Sequence, residues 1–174
     1  MGAKANIYRN FIVNAPSCGI IKKIKKIWRL TTMAIKMRFL YYSKQAKMKA
    51  LGELIKQEFD LSANYNAIDI IPPAYSCQKE RLVILGISSK NDIDDVVRRF
   101  CSELNKERAS NIALVMDGNE ATANKVIATL KEAGSNVIEN VQYLPCGLFK
   151  TKITDEEKTT LLAWVHDIID NKLV

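Results

Sequence analysis

From Met37 onward the chain alternates between short apolar runs and longer segments whose apolar residues recur every three or four positions. Arg38–Ser43 reads as a short strand, and Lys44–Phe59 as a helix with Met48, Leu51, Ile55 and Phe59 on one face. Ala67–Ile71 reads as a second strand, stopped by Pro72 and Pro73, with an irregular loop to Lys79. Arg81–Ile87 is a continuous apolar run of the kind that occupies the middle of a parallel sheet. Ile93, Val96, Val97, Phe100 and Leu104 mark the next helix. Asn111–Met116 is another buried strand, closed by a turn at Asp117, Gly118 and Asn119. Val126, Ile127, Leu130 and Ala133 define a helix that Gly134 caps. Val137–Leu144 reads as a fifth strand that leaves through Pro145-Cys146-Gly147. Thr154 to Glu157 has the spacing of a capping box, ahead of a helical stripe of Leu161, Leu162, Val165, Ile168 and Ile169.

Strands alternating with helices predict an α/β fold. The expectation is a three-layer, doubly wound sandwich with a five-stranded parallel sheet over residues 37–174. A chain of 174 residues with 48% hydrophobic content suits one such domain plus an appendage.

The appendage is residues 1–36. The net charge of +7 resides there: these residues hold eight Lys or Arg and no acid, while the remainder holds 18 basic and 19 acidic residues. Nucleic acid is therefore not an expected partner of the main domain. Within residues 19–30, Ile20, Ile21, Ile24, Ile27 and Trp28 recur at helical spacing, with lysines between them. Three readings of this basic amphipathic helix stay open. It could rest on an anionic membrane surface. It could be a cleaved organelle-targeting peptide, although it is poor in Arg and Ser. It could be an upstream extension that the working protein lacks, since Met33 and Met37 both stand just before the first strand.

The candidate chemistry is sparse. Cys18, Cys77, Cys101 and Cys146 are far apart, and His166 is the only histidine, so neither a zinc cluster nor a Ser/His/Asp triad is expected. Free thiols point to a cytoplasmic location, with each cysteine acting as a small buried apolar residue. His166 and Trp164 read as a polar surface position and a packing residue on the last helix. Asp92, Asp94 and Asp95 are accounted for by the start of a helix, where negative charge is favourable.

The informative corner is Met37–Ile55, where a buried strand runs through a compact loop into a helix. Helix N-terminal amides face such a corner and carry partial positive charge, which suits a phosphate. The loop and helix start here are Ser43, Lys44, Gln45, Ala46, Lys47 and Met48.

This framing and the element order resemble flavodoxin. That family places a hydroxyl- and glycine-rich loop, [Ser/Thr]-x-Thr-Gly-x-[Thr/Asn], after its first strand. Ser43 matches the opening hydroxyl, Gln45 stands for Thr, Ala46 for Gly and Met48 for Thr or Asn. The segment Cys146–Glu157 is similar to the closing segment of some bacterial flavodoxin-like proteins. The resemblance implies strand order 2-1-3-4-5, with FMN at the carboxyl edge where the order reverses. It implies a phosphate loop at Ser43–Met48 and ring-flanking loops at Gly86–Ser89, with Ser88 and Ser89, and at Asp117, Gly118 and Asn119. Asn91 is a further polar candidate; neither ring-flanking loop carries an aromatic, and Tyr75 in the Pro72–Lys79 loop is the nearest candidate to stack on the ring. Ala46 lacks the conformational freedom by which glycine exposes its amide to a ligand.

The expected function is an FMN-binding redox and electron-transfer protein with a docking partner protein, rather than a stand-alone enzyme. The alternative is a flavodoxin-like domain that has lost its cofactor and serves as a binding or regulatory module.

Overall fold

The computed structural model describes residues 35–42, 46–59, 65–89, 91–144 and 152–174. The expected helix at 19–30 and all of residues 1–34 lie outside the described residues. Contacts divide the chain between Ile35 and Lys36, and the unit described below is Lys36–Val174.

The elements run β1 (Met37–Tyr41), α1 (Ala46–Phe59), β2 (Tyr65–Ala67), α2 (Pro73–Ser76), β3 (Leu82–Ser89), α3 (Asp95–Glu103), β4 (Ile112–Gly118), α4 (Glu120–Glu132), β5 (Gln142–Tyr143) and α5 (Asp155–Asn171). The strands pair in the order β2-β1-β3-β4-β5, every pair parallel. Parallel neighbours need crossovers, and helices here supply them.

The centre of the sheet is β3 against β4, in register from Val83 opposite Ile112 to Ser89 opposite Gly118. Both strands are buried on both faces until their last residues, which explains their unbroken apolar sequences. One face packs Val83, Leu85, Ile87, Leu114 and Met116 against Val97, Phe100 and Cys101 of α3 and Ala123, Val126 and Leu130 of α4. On the other face Phe39 and Gly86 meet Met48 of α1. α5 joins α1 through the Lys47–Glu157 ion pair and the Phe59 and His166 rings, whose centroids are 4.9 Å apart. His166 is thus a half-buried packing residue rather than a polar surface position.

Several boundaries differ from the sequence expectation. β2 is Tyr65–Ala67 instead of Ala67–Ile71, because the Ile70 and Ile71 amides turn back to the Ala67 carbonyl. The expected loop after Pro72 contains α2, since proline suits the first turn of a helix. β5 shrinks to Gln142–Tyr143: Val137 forms only an isolated bridge to Ile112, and the exposed Glu139 and Asn140 carry the chain away from the sheet. Val96 is partly exposed, outside the apolar face of α3. β4 extends through Asp117 and Gly118, so these two residues are strand rather than turn.

Other local signals appear in the structure as written in the sequence. Gly134 has φ +84° just past α4, and Thr154 and Glu157 form a reciprocal capping box on α5. Cys77 and Cys101 are free and buried; Cys18 and Cys146 lie outside the described residues.

Two glycines hold the sheet's geometry by their lack of a side chain. A Cβ on Gly86 would lie 2.8 Å from Phe39 Cζ, and one on Gly118 would lie 2.2 Å from the Ser89 carbonyl oxygen. The first clash is with a side chain and the second with backbone. Gly86→Ala is expected to cost about 1–3 kcal/mol by overpacking. Gly118→Ala should cost more, because the paired ends of β3 and β4 would have to separate. Urea unfolding of the two variants checks both the loss and its order.

Candidate functional site at the carboxyl edge

The carboxyl edge is assembled from the ends of β1, β3 and β4 and the starts of α1, α3, α4 and α5. β1 pairs with β2 on one side and β3 on the other, and the next strands continue on the β3 side. In open α/β sheets a ligand crevice forms at such a reversal, outside the carboxyl ends of the strands.

Of the six sequence candidates in the first loop and helix start, Ser43, Lys44 and Gln45 lie outside the described residues. Ala46 is exposed at the first position of α1. Lys47 is no solvated surface charge: its side chain is 3% exposed, and its Nζ donates to Glu157 Oε1 at 2.6 Å. Met48 is fully buried, with its sulfur in the core beside Gly86. The helical period explains both, since positions 47, 48, 51 and 55 all face inward.

The second group is also placed differently from a ring-flanking loop. Gly86 and Ile87 lie inside β3, and Ser88 and Ser89 form its last two residues. Ser88 Oγ donates to Asp117 Oδ2 at 2.6 Å, joining the ends of β3 and β4. The Ser89 hydroxyl donates to the Asp92 carbonyl. Asn119 caps α4, its Oδ1 accepting from the Thr122 backbone amide at 2.8 Å and the Thr122 hydroxyl at 2.9 Å. Asn91 is exposed, and Tyr75 is 76% exposed on α2.

Sequence reasoning left Tyr42 and Lys125 unread at this edge and gave Asp92 and Asp94 only their helix-start role. Tyr42 follows β1 directly, is buried, and donates its hydroxyl to Asp94 Oδ2 at 3.1 Å. Asp94 also caps α3 by accepting the Val96 amide at 2.9 Å. Asp92 is held below the ordinary carboxylate range by the Ile93 amide first and by Lys125 second. Lys125 bridges to it from α4 at 3.2 Å. Among the described residues no group of His, Cys, Asp or Glu is placed to hold a metal ion.

Glu157 is the acid at the head of α5. Its burial favours the neutral form, but the hydrogen bond from Lys47, the Thr154 amide and the Lys47 charge outweigh that and hold the carboxyl below its ordinary value. Sequence shows only its capping role; its 110-residue separation from Lys47 leaves no local signal of the pair.

A cavity of about 500 Å³ lies elsewhere, between one face of α4 (Glu120, Asn124, Ile127, Lys131) and the approach to β5 (Glu139–Val141 and Tyr143). It flanks the β5 side of the sheet, not the β1/β3 reversal. Burial first and Glu120 second raise the Tyr143 phenol above its ordinary value.

Neither described cysteine offers a nucleophile. Burial pushes the Cys77 and Cys101 thiols up to about 12, so neither is a thiolate at neutral pH. Both are expected to resist iodoacetamide in the native protein at pH 8 and to react after denaturation, as read by peptide mass.

Glu157→Gln is expected to cost about 1–3 kcal/mol at neutral pH, because Lys47 loses its charged acceptor. The folded carboxyl titrates below the unfolded one. The stabilisation is therefore full above the unfolded value and fades as pH falls through the folded value. The stability difference between wild type and Glu157→Gln, measured by urea unfolding, should be largest at neutral pH and close as the pH falls through the depressed folded value of the Glu157 carboxyl.

No protein-family model matches the sequence, and no curated protein matches it. Among solved structures, the chain is similar to a metal-soaked Flv1 flavodiiron core from Synechocystis sp. PCC6803. The TM-score is 0.53 at 9% identity, over 81% of this chain and 38% of that one, so the chain spans well under half of its neighbour. It is also similar to a thermophilic tryptophan halogenase from Streptomycin violaceusniger, at TM-score 0.48 and 7% identity, over 79% of this chain and 99% of that one. A score that low carries no argument. The first likeness is one of fold alone and supports a distant flavodoxin-like fold.

Proposed function

We propose that residues 37–174 form a flavodoxin-like domain that takes FMN at the carboxyl edge of its sheet and serves in electron transfer with a partner protein. The observation that carries this reading is the β1/β3 reversal with α1, a 14-residue helix, opening beside it at Ala46. The amides of its first turn suit the phosphate, since the helix dipole favours negative charge there. Ser43, Lys44 and Gln45 complete the phosphate loop in this proposal. Ser88 and Asp117, joined across the ends of β3 and β4, are the described polar groups offered to a ring edge. When bound, the flavin supplies the redox chemistry, and the protein supplies its placement and surroundings.

A second reading is a cofactor-free flavodoxin-like module that binds a partner. Engaged side chains favour it. Lys47 is spent on Glu157, Ser88 on Asp117 and Asn119 on Thr122, while alanine stands at the family's glycine position.

A visible spectrum of the untagged protein, followed by FMN titration of the apo form, separates the two. The first reading expects flavin bands or stoichiometric fluorescence quenching with micromolar or tighter affinity. It also expects Ala46→Gly to tighten binding, because glycine frees the loop backbone. A colourless protein that leaves FMN fluorescence unquenched in both forms overturns the first reading and leaves the second.

A further inference from the structure

α5 is tied to the rest of the domain at separate points along its length. Near its middle, Trp164 Nε1 donates to the Asn140 carbonyl at 2.9 Å, and the His166 ring lies against Phe59 of α1. Just past its end the Val174 amide donates to Asn111 Oδ1 at 3.3 Å. Leu161, Val165 and Ile168 bury its apolar stripe. Its first turn has a different tie: the contact from Nζ of Lys47, whose side chain is 3% exposed, to Glu157 Oε1. The other oxygen of that carboxylate accepts the Thr154 backbone amide at 2.9 Å, and the Glu157 amide donates back to Thr154 Oγ1. One carboxylate thus closes the cap of α5 and anchors α1 at its second residue.

We infer that the Lys47–Glu157 pair is a latch that sets the starts of α1 and α5 together, and through them the shape of the carboxyl edge. Lys47 acts here as a positioning residue. A lysine with so little water access has its charge met by the chain's own carboxylate, so the start of α1 is ordered without a ligand's negative charge. The inference holds whether or not FMN binds, because it concerns how the edge is held and not what occupies it. Two distant turns should therefore behave as one local unit. Losing either partner should release both, while the β3/β4 centre, buried along its paired length, keeps its protection.

Hydrogen exchange of the full chain tests this with Glu157→Gln, Lys47→Met and the charge-swapped double variant Lys47→Glu/Glu157→Lys. Either single change is expected to speed exchange about tenfold or more at the first turns of both α1 and α5, with β3 and β4 unaltered. The swap should recover part of that protection at both turns. Unchanged exchange in Glu157→Gln overturns the latch, as does an increase confined to one helix or an equal increase across the domain. If Lys47→Met does not fold, Glu157→Gln, whose side chain keeps its size and its cap to Thr154, carries the test alone. The FMN titration is read separately, so failure of one proposal is distinguishable from failure of the other.

Discussion

A strand covered on both faces can place polar side chains only at its ends, and this constraint organises the whole domain. β3 and β4 are buried along their paired length, and their first polar side chains are Ser88, Ser89 and Asp117 at the carboxyl ends. Polar chemistry is thereby driven to one edge. There the starts of α1, α3, α4 and α5 bring unsatisfied amides, and each needs an acceptor. Asp94, Asn119 and Thr154 meet that need for three of the four helices. The edge is polar because the middle cannot be.

The same constraint decides how a charge is treated when the helix period turns it inward. Lys47 lies next to Met48 on the inward side of α1, and its stem is carried into the apolar layer between helices. An ammonium there needs a full partner, since leaving it unpaired costs far more than a surface ion pair returns. Glu157 supplies that partner from the opposite end of the chain. Arg38 and Glu80 repeat the solution at the amino edge, where a carboxylate 1% exposed accepts the guanidinium at 3.2 Å.

The parts of this fold legible in the sequence are those fixed by local period and local caps. The apolar runs at Arg81–Ile87 and Asn111–Met116 sit in the two central strands, and the Gly134 and Thr154–Glu157 signals mark real helix ends. Ranges drift where apolar character persists but pairing does not. Val137 and Ile138 are buried, yet they precede β5, because burial at a sheet margin needs no ladder. The candidate site was legible only as a location. Its decisive contacts, Lys47–Glu157, Tyr42–Asp94 and Ser88–Asp117, span 110, 52 and 29 residues. No spacing rule reaches across such distances. A lysine in a loop motif and a lysine in a helix interface are written with the same letter, and only the helical phase of α1 separates them.

That separation shows why likeness of fold does not by itself carry likeness of ligand. The fold rests on burial of the central strands, to which the first turn of α1 contributes Met48 beside Gly86. A phosphate loop rests on backbone freedom and hydroxyl donors, on which burial of the central strands has little hold. Met48 adds apolar surface beside Gly86 of β3. A substitution that weakens a ligand's hold can therefore strengthen the core beneath it. The two properties are coupled only through residues that serve both, and at this edge the fold already engages Lys47 through Glu157.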